Sequence, residues 1–319
     1  MKINRFMIAA PKSGSGKTMI TCALLQLLKD SGKNVLSYKC GPDYIDPMFH
    51  KKVLGVPSKN LDTFFTDEKT TVQLFLDERA DGDFAVLEGV MGLYDGLGGI
   101  YEQGSSYHLA KVTQTPIILV VDAKGMGKSV LALIAGFLQY DTQHLIKGVL
   151  LNRMSKGYYD IIKPLIEKEL SVKVVGYFPE QKDIGLSSRH LGLVMPDELS
   201  DIKKQLNETA DRLKKTIDMD LFIDIAEAAD EIGDSGSADK DKRQTLKNAE
   251  LMRPQDQNNT VNIAVAMDEA FCFYYEDNLR MLEKCGAKLQ YFSPLHDTSL
   301  PENCDAMLLG GGYPELYAK

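Results

Sequence analysis

Short apolar runs rich in β-branched residues alternate with helix-length segments from the start of this chain. Six runs have the length and composition of buried strands: RFMIAA, NVLSYK, DFAVLEG, PIILVVDA, IKGVLLN and VKVVGYF. Helical patterns such as TMITCALLQLLKD and KSVLALIAGFLQY lie between several of them. This alternation predicts an α/β fold with a mainly parallel sheet and helices on both of its faces. Because ligands of such sheets bind at the carboxyl ends of the strands, the residues just after each run are the candidates for function.

A glycine-rich segment, PKSGSGKT, follows the first apolar run. In the phosphate-loop pattern G-x-x-x-x-G-K-[ST], backbone N–H groups surround the phosphates, the lysine reaches the terminal phosphates and the hydroxyl binds Mg²⁺. Pro11 stands at the position of the first glycine, but the end of the segment matches. The setting between a strand and a helix favours an ATP site over a chance glycine-rich turn. The predicted nucleotide-binding residues are Lys12, Ser13, Gly14, Ser15, Gly16, Lys17 and Thr18.

A second string, KGMGKS at residues 124–129, also follows an apolar run. It lacks the leading glycine of the full pattern, and one sheet seldom carries two phosphate loops. The favoured interpretation is therefore a strand-to-helix turn beside the first site. Asp122, which ends that apolar run, can still contact a water or the metal shell.

Acidic residues follow three of the predicted strands. Asp43 and Asp46 lie in KCGPDYIDP, Glu88 and Asp95 lie in LEGVMGLYDG, and Asp122 ends PIILVVD. A single acid of this kind is more often a turn residue or a helix cap. Their repetition at strand ends favours a Mg²⁺ site, since Mg²⁺ needs hard oxygen ligands. The predicted metal ligands are Thr18, Asp43 and Glu88.

The composition argues against several classes of partner and site. A net charge of −8 without a long Lys/Arg run disfavours nucleic acid, and no run approaches the ~18 apolar residues of a membrane span. Five cysteines without CxxC spacing indicate neither a disulfide framework nor a zinc site. Free thiols and the lack of a signal-peptide pattern predict a cytoplasmic protein.

Composition changes abruptly near residue 233 and again near residue 261. We expect a first domain over residues 1–232, a polar linker over 233–260 and the start of a second α/β domain over 261–319. VNIAVAMDEAF indicates a strand that leads into a helix. Because 261–319 is shorter than a typical domain of roughly 100–200 residues, we expect the chain to stop inside that domain.

Several uncommon strings occur in a fixed order: YKCGPDYIDP, LEGVMGLYDG, SSRHLGLV, FCFYYEDNLRMLEKCGAKLQYFSPL and LLGGGYPELYA. Together they resemble the cobyrinic acid a,c-diamide synthases, a tetrapyrrole-amidating branch related to dethiobiotin synthetase. The resemblance runs from the phosphate loop to the last residue and is interrupted at the linker. It implies a dethiobiotin synthetase-like P-loop domain followed by the start of a flavodoxin-like class I glutamine amidotransferase domain.

The chemistry that this resemblance implies is ATP-dependent amidation of a corrinoid. A carboxylate is a poor acyl donor, and phosphorylation by ATP turns its oxygen into a good leaving group. Ammonia then displaces phosphate, while Lys, Mg²⁺ and loop amides stabilise the charge of the transferring phosphoryl group. In the complete enzyme the ammonia comes from glutamine, and a chain without the glutaminase nucleophile depends on free ammonia. Cys272, Cys285 and Cys304 lack a nucleophile-elbow setting and are interpreted as structural.

The resemblance also implies roles for individual residues. Asp43, Glu88 and Asp95 are similar to the active-site acids, and Asn152 resembles the residue that reads adenine. The implied substrate contacts are Tyr44, Asp46, Arg189 and His190, with a loop anchor as the equal alternative for the last two. Gly311 and Gly312 resemble the glycine turn of the glutaminase oxyanion hole. In some relatives a lysine placed like Lys12 reaches the partner's nucleotide, which raises a homodimer as an expectation.

Two other interpretations stay open at this stage. A ParA/MinD-like ATPase switch has the same phosphate loop, but such proteins lack a glutaminase-like half. Cobyric acid synthase and dethiobiotin synthetase use the same reaction logic on other acids, whereas GPDYIDP and RHLGL favour the a,c-diamide enzymes. Cobyrinate, hydrogenobyrinate and Ni-sirohydrochlorin enzymes share these motifs, so the tetrapyrrole and its metal are not decided by the sequence.

Overall fold

The computed structural model describes residues 2–77, 84–181, 199–232 and 260–318. The chain divides into two compact units, Met1–Ile232 and Gly233–Lys319. Most of the expected linker, together with Arg189 and His190, lies outside the described residues. Both units contain a parallel sheet with helices, so the predicted α/β class is confirmed.

The first unit is built on a seven-stranded sheet in the order β3-β2-β4-β1-β5-β6-β7, with every pair parallel. The strands are β1 Asn4–Ala9, β2 Val35–Cys40, β3 Ser58–Leu61, β4 Phe84–Glu88, β5 Ile117–Asp122, β6 Ile146–Asn152 and β7 Lys173–Phe178. The six predicted strands are all present. The seventh, β3, escaped prediction because its sequence SKNL is mostly polar, as suits a strand at the edge of the sheet.

Helices cover both faces of this sheet because its strands are apolar on both sides. Phe6 and Ile8 of β1 pack on one face, and Met7 and Ala9 pack on the other. The helices are α1 Lys17–Asp30, α2 Ile45–Phe49, α3 Glu68–Leu76, α4 Ser106–Val112, α5 Ser129–Tyr140, α6 Lys156–Leu170, α7 Leu199–Lys214 and α8 Met219–Glu227. A π-helical turn, His50–Leu54, extends α2. The carboxyl ends of β1, β2 and β4 thereby lie side by side and open toward the loops that carry the motifs.

The second unit has a three-stranded parallel sheet in the order β10-β8-β11 and a small antiparallel pair of β9 and β12. Its elements are β8 Asn262–Ala266, β9 Phe271–Phe273, α9 Glu276–Lys284, β10 Lys288–Phe292, β11 Ala306–Leu308, β12 Gly311–Gly312 and α10 Pro314–Tyr317. The expectation that β8 leads directly into a helix was wrong. The Asp268 carboxylate accepts hydrogen bonds from the N–H groups of Ala270 and Phe271 and turns the chain into β9, which contains Cys272.

All five cysteines are free thiols. In the described ranges, no helix has both the length and the apolar character needed to cross a bilayer.

The guanidinium of Arg5 links three segments at the start of β1 and is completely buried. It donates to the carbonyl oxygens of Ile3, Thr113, Gln114 and Asp230. Arg5→Lys removes the planar fork that reaches these acceptors and leaves buried carbonyls unpaired. We expect it to lower the free energy of unfolding by about 2–3 kcal/mol in urea titrations followed by circular dichroism. Arg212→Lys, at an exposed arginine, is the control and should change stability by less than about 0.5 kcal/mol.

Candidate active site

The phosphate loop lies between β1 and α1 and adopts backbone angles that favour glycine. Gly14 and Gly16 have φ values of 75° and 92°, and α1 begins at the next residue, Lys17. A Cβ at Gly16 would lie 2.3 Å from Asn152 Nδ2, so this position also needs glycine for close packing. The loop therefore presents its amides and the first turn of α1 toward the rim, as a phosphate site requires.

Asn152 holds this loop from below. Its side-chain amide donates to the Ser15 carbonyl at 2.8 Å, and its oxygen accepts from the Arg153 N–H at 2.9 Å. The residue is 2% exposed. A contact of Asn152 with adenine stays a prediction, and in this structure both ends of its amide group bond to protein atoms.

Lys17 points across the loop and is buried. Its ammonium donates to the Met91 carbonyl at 2.5 Å and approaches the Lys12 carbonyl at 3.5 Å. Burial, reinforced by repulsion from Lys39, lowers the pKa of Lys17 below its ordinary value. The Lys12 side chain is exposed at the loop tip beside Ser13, while the Ser15 hydroxyl donates to the Lys12 carbonyl.

A buried cluster of charges lies beneath the loop. The Thr18 hydroxyl donates to Glu88 Oε1 at 2.7 Å and lies 3.4 Å from Asp46 Oδ2. Lys39 joins the acids, since its ammonium donates to Glu88 Oε1 at 2.9 Å, pairs with Asp46 and lies 3.5 Å from Asp43 Oδ2. The structure thus brings Thr18, Asp46 and Glu88 together around one lysine.

The charges in this cluster depend on one another. Burial alone would lower the pKa of Lys39, but the charges of Glu88 and Asp46 outweigh it and hold that pKa above its ordinary value. Burial and the Glu88 charge raise the pKa of Asp46, and Lys39 opposes that rise. Lys39 is therefore a fixed cation inside the sheet rim.

Lys39 was not predicted as a site residue, although its position inside an apolar run was an indication. NVLSYK reads as a buried strand, and a lysine inside such a strand needs a counter-charge. Lys39 of β2 lies in register with Glu88 of β4, its neighbour in the sheet. That pairing of strands could not be read from a single sequence.

His50 lies behind Glu88 and was also not identified from the sequence. Its Nδ1 is 2.8 Å from the Ser37 hydroxyl, and its Nε2 is 3.8 Å from Glu88 Oε2. Neither His50 Nε2 nor Glu88 Oε2 has a hydrogen-bond partner, and both are buried. Burial lowers the pKa of His50 to about 4, so the ring is neutral at neutral pH.

Asp43 shapes the loop after β2 rather than contacting Thr18. Its Oδ1 accepts hydrogen bonds from the N–H groups of Ile45 at 2.9 Å and Asp46 at 3.3 Å. The Asn60 amide fixes the same loop by donating to the Asp43 carbonyl at 2.8 Å. Tyr44 precedes α2 and is partly buried. Asp46, predicted to contact the substrate, is buried among the charged residues and lines the cavity.

The loop after β4 approaches the phosphate loop. The Leu93 N–H donates to the Ala10 carbonyl at 2.8 Å, and a Cβ at Gly92 would lie 2.7 Å from the Pro11 carbonyl oxygen. Asp95 Oδ2 accepts from the Gly92 N–H at 2.9 Å, which holds this acid in a tight turn. Asp95 is therefore held in this turn, within electrostatic reach of Lys17.

Asp122 does not join the charge cluster. Both of its carboxylate oxygens accept from the Arg153 guanidinium, which also lies 3.3 Å from the Gly14 carbonyl. The KGMGKS string forms turns that lead into α5, in agreement with the strand-to-helix interpretation. Asp122 thus supports the outer side of the phosphate loop.

A cavity of about 470 Å³ opens above these groups. Its lining includes Ser13, Gly14, Gly16, Lys17, Thr18, Lys39, Asp43, Asp46, Val90 and Met91. Three carboxylates (Asp43, Asp46, Glu88) and two ammonium groups (Lys17, Lys39) leave one negative charge beside it when all are ionised. That net negative charge suits a divalent cation, whereas the unpartnered Glu88 Oε2 lies on the side of His50.

The donor set fits Mg²⁺ bound together with a nucleotide. Among the described residues, no three or more His, Cys, Asp and Glu side chains form a metal site by themselves. Mg²⁺ at nucleotide sites takes one or two carboxylates and completes its shell with phosphate oxygens and water. The Thr18 hydroxyl and the Glu88 carboxylate are placed for this role, with Asp46 adjacent, and Asp43 lies beyond Lys39.

In the second unit, Gly311 and Gly312 form β12 beside β9. The Tyr313 N–H donates to the Ala270 carbonyl at 2.9 Å, and a Cβ at Gly312 would lie 1.9 Å from that oxygen. The glycine turn is thus held tightly against β9, and only glycine fits at residue 312.

Two family models match the sequence. Residues 6–194 match the CobQ/CobB/MinD/ParA nucleotide binding domain, and residues 262–319 match the CobB/CobQ-like glutamine amidotransferase domain. These matches fall on the two units that the structure separates.

Curated relatives match nearly the whole chain. A cobyrinate a,c-diamide synthase of Listeria innocua serovar 6a is 38% identical over 99% of this chain and 67% of its own length. Another, from Thermoplasma acidophilum, is 40% identical over 100% of this chain and 68% of its own length. The chain therefore spans about two thirds of the length of these relatives.

Solved structures share only a loose likeness. The signal recognition particle receptor FtsY of Elizabethkingia anophelis has a TM-score of 0.45 at 14% identity, and covers 71% of this chain and 66% of its own. The MinD cell division protein of Aquifex aeolicus has a TM-score of 0.40 at 17% identity, and covers 66% of this chain and 97% of its own. Structural similarity this low does not indicate a function.

Packing of Gly16 on Asn152 can be tested with a matched pair of variants. Gly16→Ala and Gly14→Ala both place a side chain at positive φ, which costs about 1 kcal/mol. Only Gly16→Ala also collides with Asn152, since a Cβ at Gly14 meets nothing within 4 Å. We expect a clearly larger fall in Tm for Gly16→Ala, measured by thermal unfolding without nucleotide. Equal shifts for the two variants would contradict the proposed packing.

His50 should make stability depend on pH. Its pKa is about 4 in the folded protein, against an ordinary 6.5, so the unfolded chain binds the extra proton first. Its contribution is complete above pH 6.5 and is lost as pH falls toward 4, by at most about 3 kcal/mol. Urea unfolding in EDTA across this window should show the slope, and His50→Gln should flatten it. His144→Asn, at an exposed histidine, should leave the slope unchanged.

Proposed function

The chain belongs to the family of cobyrinate a,c-diamide synthases, and from that premise we propose that it uses ATP to amidate the a- and c-side-chain carboxylates of a corrinoid such as cobyrinate. The observation that carries the proposal is that Lys17, Thr18 and Lys39 line a single cavity and that buried Glu88 bonds to both Thr18 and Lys39. Two lysines and a metal-binding pair are what phosphoryl transfer to a carboxylate needs.

The proposed reaction has two steps. A carboxylate oxygen of the substrate attacks the γ-phosphorus of ATP, the bond to the bridging oxygen breaks, and ADP leaves. Ammonia then attacks the acyl carbon of the resulting acyl phosphate, the carbon–oxygen bond breaks, and phosphate leaves as the nitrogen loses a proton. The names of the curated relatives support amidation, and the two steps through an acyl phosphate are our proposal.

Each buried charge has a part in this scheme. Lys17 exchanges the Met91 carbonyl for the terminal phosphates of ATP, and its lowered pKa reflects an ammonium that is poorly solvated and ready for anionic partners. Thr18 and Glu88 hold Mg²⁺, which supplies Lewis-acid neutralisation of the phosphates when bound. Lys39, fixed by its three acids, adds a permanent positive charge beside the transferring group.

The acids nearer the substrate are given separate roles. We place Asp95, held in its turn by Gly92, beside the reacting carboxyl, where it accepts a proton from the incoming ammonia. Asp43 and Tyr44 lie in the loop after β2, and we place this loop beside the substrate. Arg189 and His190, which lie outside the described residues, stay predicted partners of a substrate carboxylate or phosphate.

We base the proposed source of ammonia on the second unit and the proposed location on the free thiols. Residues 262–319 match a glutamine amidotransferase domain, so glutamine is the proposed source of ammonia and Gly311 and Gly312 the proposed oxyanion turn. We also propose that Lys12, which is exposed, reaches a nucleotide in a second copy, which makes a homodimer part of the proposal. Five free cysteines fit a cytoplasmic location.

Amidation by the full chain tests the proposal directly. The chain is incubated with ATP, Mg²⁺ and isotopically labelled ammonium, so the result does not depend on a glutaminase. Cobyrinate, hydrogenobyrinate and Ni-sirohydrochlorin are offered in parallel, and mass spectrometry identifies the acid that gains labelled amides. We expect cobyrinate to gain them at two carboxyls, with Lys17→Ala lowering product formation by at least about 100-fold.

A second variant separates amidation from nucleotide binding. Asp95→Asn should bind a fluorescent ADP analogue within about twofold of the unmodified chain and lose about 100-fold in amidation rate. Asp211→Asn, at an exposed acid on α7, is the control and should be unaffected. No labelled product from any acid, in a folded chain that binds the analogue, contradicts the proposal. ATP hydrolysis that ignores tetrapyrroles is the result that a MinD-like switch predicts.

A further inference from the structure

Exposed apolar side chains are concentrated on two loops of the first unit. Among the described residues of that unit, nine large apolar side chains are exposed, and six of them lie in residues 62–67 and 89–105. The six are Phe64, Phe65, Met91, Leu97, Ile100 and Tyr101, and the other three lie on α5 and α6. Exposed apolar residues scattered singly need no explanation, whereas a contiguous patch marks a binding surface.

The first of these loops is held rigidly. Phe64 and Phe65 follow β3, and their rings meet edge to face with centroids 5.0 Å apart. Asp62 fixes the turn, because its carboxylate accepts from the Phe64 N–H at 2.9 Å and its carbonyl from the Thr66 N–H at 3.1 Å. The two aromatic side chains are thus presented to solvent by an ordered turn.

The second loop is closed on itself and contacts the first. The Leu97 N–H donates to the Gln103 carbonyl at 2.8 Å, and the Tyr101 N–H donates to the Leu97 carbonyl at 3.2 Å. A Cβ at Gly104 would lie 3.7 Å from the Phe64 Cβ, which is van der Waals distance. The two loops are therefore neighbours at Phe64, and we call their exposed side chains Phe64, Phe65, Leu97, Ile100 and Tyr101 together the apolar platform.

The same second loop also reaches the phosphate site. Its start carries the Met91 carbonyl that binds Lys17, and Asp95 follows four residues later. Leu97 is only two residues beyond Asp95, a span of at most about 7 Å along the chain. A ligand whose carboxyl lies at Asp95 would therefore extend its remaining bulk over the apolar platform.

We propose that the apolar platform binds the face of the substrate's tetrapyrrole ring while one peripheral carboxylate reaches Asp95 and Lys17. The inference rests on the proposed function and adds the location of the ring. A broad, largely apolar macrocycle with carboxylates at its edge needs an apolar surface beside a charged site, and the loop over residues 89–105 supplies both. Aromatic and aliphatic side chains are suited to contact such a ring by stacking and burial.

A matched pair of double variants tests the platform. Phe65→Ala with Ile100→Ala removes side chains that are 66% and 80% exposed, and Tyr158→Ala with Ile161→Ala removes ones that are 59% and 63% exposed on α6. Because all four are surface side chains, neither double variant should impair folding. Equilibrium dialysis measures the Kd of cobyrinic acid, and a fluorescent ADP analogue reports the nucleotide site.

We expect the platform double variant to lose affinity for the tetrapyrrole and to keep its affinity for the nucleotide. The platform double variant should raise the Kd of cobyrinic acid by about tenfold or more and raise KM with little change in kcat, while the Kd of the analogue stays the same. The α6 double variant should behave like the unmodified chain. Phe65→Tyr with Ile100→Leu, which keeps the apolar surface, should bind cobyrinic acid nearly normally.

Other outcomes distinguish an error in the platform proposal from an error in the proposed function. An unchanged Kd of cobyrinic acid in the platform double variant overturns the platform and leaves the proposed function standing. A change in sedimentation mass without a change in that Kd assigns the surface to contact between copies of the chain and also overturns the inference. If the unmodified chain binds no cobyrinic acid, the proposed substrate fails, and the platform fails with it.

Discussion

The buried ion pair between Lys39 and Glu88 is the interaction on which the site depends. Both charges lie on central strands, where a lone charge would be prohibitively unstable, so each requires the other in register across β2 and β4. Thr18 at the start of α1 and Asp46 at the start of α2 complete the set of partners. Removing either member of the pair would leave an uncompensated charge in the sheet, which typically costs about 3–5 kcal/mol.

The sheet order explains why one rim can carry the whole site. β4 lies between β2 and β1, so the loops after these three strands meet above the Lys39–Glu88 pair. The phosphate loop contributes Lys17 and Thr18, the β2 loop contributes Asp46, and the β4 loop contributes Asp95. Segments far apart in sequence are thereby fixed by short backbone contacts, such as the Leu93 N–H on the Ala10 carbonyl.

Most strands and the phosphate loop could be predicted from the sequence, whereas most contacts within the site could not. Six strands and the phosphate loop follow from local patterns, because apolar runs and the G-K-T ending are visible without tertiary information. The partners of Lys39 depend on which strands are neighbours, and the burial of Asn152 beneath Gly16 depends on a loop more than a hundred residues away. Motifs locate the chemistry, but the assignment of each acid needs the sheet order.

The proposed reaction makes two opposite demands, and the loop after β4 meets both. Phosphoryl transfer is favoured by fixed charges in a poorly solvated place, where electrostatic interactions are strong. Recognition of a large ring is favoured by apolar surface that is accessible before binding. Met91 and Asp95 lie in the first part of this loop, and the exposed Ile100 and Tyr101 lie further along it. A substrate ring bound on these exposed side chains would bury its apolar face, and that binding energy would help to hold its carboxylate among the fixed charges.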